Sequence, residues 1–144
     1  MTKARVLFLC THNSARSQIA EGWLRHKGAD RFEAHSAGTH PVGLNPLAVS
    51  VMREAGIDIS HHRSKPVENY AGRHFDIVIT VCDQAKEACP YFPGDVERIH
   101  WSIPDPSSVE GDDKGRQEAF RKARDELDQR IALFLSAHAS PRSD

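Results

Sequence analysis

Short apolar runs rich in β-branched residues alternate along this chain with segments whose apolar residues repeat at helical spacing. That alternation constrains the fold most. A strand that reaches the next strand through a helix must cross over the sheet and pair parallel, and a parallel sheet is covered on both faces. Arg5 to Leu9 is a short buried-strand run, and Ser17 to Lys27 follows with Ile19, Ala20, Trp23 and Leu24 on one helical face and Gly28 as terminator. Phe32 to Ala37 is a weaker second strand. Asn45-Pro46 combines a helix cap with proline in the first turn, and Leu47, Ala48, Val51, Met52 and Ala55 then repeat at helical spacing up to Gly56. Pro66 to Ala71 reads as a short helix, Phe75 to Val81 as the clearest strand, and Arg98 to Ile103 as a fourth. Asp113 to Leu135 is a long helix with Phe120, Ala123, Leu127, Ile131 and Phe134 facing inward. The expected architecture is a single α/β domain, a four-stranded parallel sheet with helices on both faces. It spans residues 1–137, and 138–144 form a flexible tail.

The 144 residues suffice for one core without staples. A net charge of −1 gives no pull toward nucleic acid or an anionic membrane, and neither is expected as a partner. Val6-Leu7-Phe8-Leu9 is too short for a signal-peptide core or a membrane span, so a soluble, cytoplasmic protein is expected. In that compartment three cysteines are poor candidates for permanent disulfides, and an odd count leaves one thiol over.

Ligands of open parallel sheets bind beyond the carboxyl ends of strands. Cys10-Thr11-His12-Asn13-Ser14-Ala15-Arg16-Ser17 occupies such a place, directly after the first strand and opening the first helix. A short loop there turns backbone N–H groups into one concavity, and the helix dipole adds positive potential. Arg16 can grip two oxygens of a tetrahedral oxyanion. The same field favours the Cys10 thiolate, so a lowered thiol pKa is expected, with Ser17 donating to the sulfur and Asn13 shaping the loop. The alternative for any single cysteine is a buried filler beside an ordinary turn.

Cys82 directly follows the strongest strand and Cys89 comes seven residues later. If the first and third strands are neighbours, about 4.8 Å apart, Cys82 lies near Cys10. Asp83 to Ala88 contains good helix formers, and on a helix Cys82 and Cys89 would be about 10 Å apart. A disulfide needs Cα atoms within about 7 Å, so a bond between them requires the segment to unwind. The alternatives are small core residues or a zinc site, for which the cysteine spacing and the scattered histidines are unsuited. Ser102-Ile103-Pro104-Asp105-Pro106-Ser107 is a proline-stiffened loop that can hold the Asp105 carboxyl over an anion as general acid, or else an ordinary surface turn. His61-His62 is expected to face solvent.

From Val6 to the last helix, these motifs resemble the low-molecular-weight protein tyrosine phosphatase family, which also includes thioredoxin-coupled arsenate reductases. The resemblance implies that family's fold, with Thr11, His12, Asn13, Ser14, Ala15, Arg16 and Ser17 binding the oxyanion. It implies Cys10 as nucleophile, Cys82 and Cys89 as relay cysteines, and Arg16 and Asp105 as catalytic partners. The implied activity is reduction of arsenate to arsenite by a monomer in arsenic detoxification. Thioredoxin is the electron donor, no cofactor is tightly bound, and weak phosphatase activity accompanies the reduction. Ser107 stands where the phosphatases commonly have an aromatic, leaving a smaller and more polar mouth. Asn13, Glu21 and Ser36 resemble a set that binds a monovalent cation in some relatives. Lys65 stands here in place of an acidic ligand, and no metal is expected. The alternatives left open are a tyrosine phosphatase and a non-catalytic module binding an oxyanion or a partner.

Overall fold

The computed structural model describes residues 3–83 and 92–138. Cys89 and most of the segment from Cys82 to Cys89 lie outside them, as does the tail from 139 onward. Among the described residues the strands are β1 (Ala4–Cys10), β2 (Phe32–Gly38), β3 (Ile77–Thr80) and β4 (Glu97–His100). They form one sheet in the order β2-β1-β3-β4, with all pairings parallel. The α-helices among the described residues are α1 (Arg16–Gly28), α2 (Pro46–Glu54) and α3 (Asp113–Ala137), and 3-10 turns cover Val67–Tyr70 and Pro106–Ser108.

The expected strands are all present, with the last two trimmed. Arg98 to Ile103 becomes Glu97–His100, because Pro104 and Pro106 lack the N–H a ladder needs and the chain turns out of the sheet before them. Asn45 caps α2 by accepting from the Leu47 amide at 2.8 Å, and Pro46 sits in the first turn. Asp112 caps α3 by accepting from Gly115 N at 2.9 Å. The buried residues of α3 are Phe120, Ala123, Leu127, Ile131 and Phe134, as the periodicity requires. Each of the four large ones stabilises the fold by about 1.5–3 kcal/mol relative to exposure.

Successive residues of a strand face opposite sides, and the two sides are covered differently. Phe32 packs on Phe134 and Phe8 on Trp101, so these positions face the α3 side, where α1 and α2 also pack. On the other side His35 meets Tyr70 of the Val67–Tyr70 turn and Phe75, Arg5 lies over Phe75, and Phe75 contacts Phe92. Helical structure on both faces is thus borne out, among the described residues as α-helices on one and a 3-10 turn on the other. Because β1 and β3 are adjacent, with Leu9 opposite Thr80, the chain leaves both strands at the same end. The order reverses there, which makes it a topological switch point.

Candidate active site

The Cys10–Arg16 loop is built by a left-handed residue and an uncapped helix. Asn13 has φ +50°, a conformation asparagine tolerates better than most residues. Its amide N–H then reaches the Cys10 sulfur at 3.3 Å. Ala15 gives α1 no side-chain cap, so no capping side chain covers the first N–H groups of the helix. Asn13 is fully buried and held from several sides. Its side-chain oxygen accepts from Lys65 N at 2.8 Å and Gln18 Nε2 at 3.1 Å. Its backbone carbonyl accepts from Ser64 Oγ at 2.6 Å. The neighbouring 39–45 loop straps the other side, with His40 N, Val42 N and Asn45 N donating to the carbonyls of Thr11, His12 and Ser14.

Ser17 Oγ lies 2.8 Å from Cys10 Sγ. It also accepts from Asn13 Nδ2 at 2.7 Å, which leaves the Ser17 proton for the sulfur, as expected of it. The expected direction of the Cys10 pKa is nevertheless reversed. Burial pushes the thiol up, and the Ser17 hydrogen bonds pull it down by less. Proximity to Cys82 raises it and the Arg16 charge lowers it. The loop supplies the favourable groups, but the closed core around Cys10, 2 % exposed, outweighs them.

Arg16 is turned toward the acid loop. Its Nη1 donates to the Ile103 carbonyl at 2.8 Å, and Nη2 lies 3.8 Å from Asp105 Oδ2. The guanidinium thus joins the anion loop to the Asp-Pro loop across 87 residues of sequence. Asp105 caps the Pro106–Ser108 turn, and Oδ1 accepts from both Ser107 N at 3.0 Å and Ser107 Oγ at 2.7 Å. Oδ2 is the oxygen that faces Arg16. Ser107 therefore tethers Asp105.

Cys82 is buried at the end of β3, with its sulfur 3.3 Å from Thr11 Oγ1. Of the residues singled out in the sequence, Cys10, Thr11, Asn13, Arg16, Ser17, Cys82 and Asp105 converge on this end of the sheet. His12 is exposed there. Lys65 places its ammonium 3.9 Å from Glu21 Oε1 and 3.5 Å from Ser36 Oγ, while it donates to the Arg63 carbonyl at 2.7 Å. Burial lowers the Lys65 pKa and Glu21 opposes that. Glu21 is buried and also pairs with Arg25 at 2.7 Å. Two cations hence offset one buried carboxylate.

Gln18, Ser64 and Gly38 escaped sequence reading. Gln18 donates to Asn13 and to the Arg63 carbonyl at 2.8 Å. His62 is a correction. It is half-buried, with Nδ1 3.0 Å from Gln18 Oε1, and burial lowers its pKa; only His61 is exposed. Gly38 ends β2 beneath the loop, where a Cβ would sit 2.7 Å from Thr11 O. The strand-end glycine was the only signal for it.

One end of this parallel α/β sheet thus carries a buried thiol, a strand-to-helix loop that ends in Arg16, and an aspartate loop reached by that arginine. The chain belongs to the low-molecular-weight phosphotyrosine protein phosphatase family, whose model matches residues 5–141. It is 44% identical to an arsenate reductase of Bacillus licheniformis over 134 residues, 93% of this chain and 96% of the relative. It is 42% identical to an arsenate reductase of Halalkalibacterium halodurans, with the same coverage. A solved thioredoxin-dependent arsenate reductase of Corynebacterium glutamicum superposes with a TM-score of 0.71 at 32% identity, covering 94% of this chain and 61% of that one. A low-molecular-weight protein tyrosine phosphatase from T. tengcongensis superposes with 0.76 at 27% identity, covering 94% and 99%. Fold likeness alone does not separate the two activities. Among the described residues no helix is long and apolar enough to cross a membrane.

Proposed function

We propose that residues 1–137 form an arsenate reductase domain that works through Cys10, Cys82 and Cys89 and is regenerated by thioredoxin. The observation that carries this reading is the second buried thiol, Cys82, held against Thr11 beside the nucleophile's loop. A phosphatase does not need it.

Arsenate occupies the Thr11–Ser17 loop, where backbone N–H groups and Arg16 take its oxygens. Cys10, as thiolate, displaces one oxygen from arsenic, and Asp105 protonates that oxygen so that it leaves as water. The thiolate of Cys82 then attacks the Cys10 sulfur. The arsenic–sulfur bond breaks, its electron pair stays on arsenic, and arsenite departs as Cys10 and Cys82 form a disulfide. Cys89 next attacks Cys82, releasing the Cys10 thiolate. A dithiol with a potential of about −270 mV, such as thioredoxin, reduces the resulting Cys82–Cys89 disulfide. Lys65 takes the place of a bound cation beside Glu21 and Ser36.

A phosphatase would use the same Cys10, Arg16 and Asp105, and the T. tengcongensis likeness favours keeping that reading in the test. The test is arsenate-dependent NADPH consumption with thioredoxin and its reductase, run beside hydrolysis of a chromogenic phosphate ester. Efficient arsenate turnover with weak ester hydrolysis supports the reductase. Ester hydrolysis without arsenate turnover overturns it.

A further inference from the structure

A histidine outside the anion loop grips the residue next to Cys82. His100 on β4 lies opposite Thr80 of β3 in the sheet register. Its Nδ1 is 2.7 Å from Thr80 Oγ1, and its Nε2 is 2.8 Å from Asp83 Oδ1. Ser102 Oγ donates to the same Asp83 oxygen at 3.2 Å. A carboxylate only accepts, so His100 donates from Nε2. Its Nδ1 meets the Thr80 hydroxyl, which also lies 3.5 Å from the Ile99 carbonyl. The imidazole thus spans from the body of β3, where Thr80 is buried, to the residue following Cys82. Among the described residues, the last backbone bonds tying this end of β3 to its neighbours are Val81 N to Leu9 O and Trp101 N to Thr80 O. Cys82 lies just past them, its side chain on Thr11 and its successor on His100.

We propose that His100 is a positioning residue for Cys82, which it holds through Asp83 in reach of Cys10. The inference rests on the reading of Cys82 as the second thiol of the reaction. His100 touches neither sulfur and plays no part in anion binding or proton donation. Its loss slows disulfide closure between Cys10 and Cys82 while leaving chemistry that needs Cys10 alone untouched.

The test uses the full chain in a Cys89→Ala background, where closure stops at Cys10–Cys82. Closure is driven in two ways, by one equivalent of arsenate and by diamide, which takes two electrons and two protons from a thiol pair without using the anion loop. His100→Ala is expected to slow closure roughly 10–100-fold under both, the cost of a small misplacement of a reacting group. Phosphate-ester hydrolysis should stay within about twofold. His100→Gln, whose amide can still donate to Asp83, should recover most of the rate. Asp83→Ala alters a side chain that is 78% exposed, so folding is not at stake. It should match His100→Ala, and the double variant should lose no more than either. Closure as fast as in the parent, equal loss of ester hydrolysis, or multiplying losses in the double variant would overturn the proposal. If the protein does not reduce arsenate but diamide closure still depends on His100, the reductase reading fails and only the placement of Cys82 by His100 stands. If arsenate is reduced and closure ignores His100, the reverse holds.

Discussion

The Ser17 hydroxyl lies 2.8 Å from the Cys10 sulfur, with the Asn13 amide fixing the direction of its proton. It is the largest of the groups favouring the thiolate against burial. Removing it should therefore move the Cys10 pKa further up. In Ser17→Ala the thiolate fraction at neutral pH falls, and the rise of alkylation with pH shifts to higher pH. Peptide-resolved iodoacetamide labelling of Cys10 across pH checks this. A profile that is unchanged or shifted to lower pH would show that the hydroxyl does not act on the sulfur.

Gly38 is the floor of the loop. An added Cβ would meet Thr11 O at 2.7 Å and the Asn13 N and Cβ at 2.9 Å, and these are backbone or tightly held atoms. Gly38→Ala should cost about 1–3 kcal/mol through overpacking. It should also displace Asn13, so ester hydrolysis should fall more than stability does. Urea unfolding beside ester kinetics separates the two effects. Unchanged stability with full activity would mean that the loop moves freely above β2.

The candidate loop was legible because its residues are contiguous from Cys10 to Ser17, between β1 and α1. The stripe of α3 was legible because it repeats at helical spacing. What holds the loop was not legible. Gln18 and Ser64 reach Asn13 from five and 51 residues away, and His62 reaches Gln18 from 44. Such partnerships depend on how α1 and the 60–65 segment pack, which no local pattern encodes. The Cys10 pKa failed for a related reason. Charge and dipole were visible in the motif, but the closure of the core over the sulfur was not. Asp105 stands out in the sequence through its prolines and the family resemblance, whereas its tether to Ser107 and its approach to Arg16 depend on the fold.

Asp105 presents Oδ2 toward Arg16 while Ser107 holds Oδ1. Asp105→Asn keeps the shape and removes the transferable proton. Both arsenate reduction and ester hydrolysis should slow by roughly 10²–10⁴-fold, because both expel an oxygen. Steady-state kinetics with an ester of very acidic leaving group should recover much of the loss. Equal loss with every leaving group would assign Asp105 a role in holding Arg16 rather than in proton donation.

On the proposed mechanism, Cys82 separates reduction from ester hydrolysis. Cys82→Ser should abolish arsenate turnover and leave ester hydrolysis within about twofold, since only reduction needs a second thiol. Parallel assays on one preparation check it. Loss of both activities in a folded protein would make Cys82 part of the anion site.

The three-thiol relay is tested most directly by mapping disulfides after one equivalent of arsenate, without thioredoxin. The protein is quenched by alkylation and its peptides are read by mass spectrometry. The account expects a Cys82–Cys89 disulfide and a free Cys10 in the wild type, and a trapped Cys10–Cys82 disulfide in Cys89→Ala. Oxidised wild type that retains Cys89 as a free thiol would contradict it and leave a two-cysteine reaction completed by an external thiol.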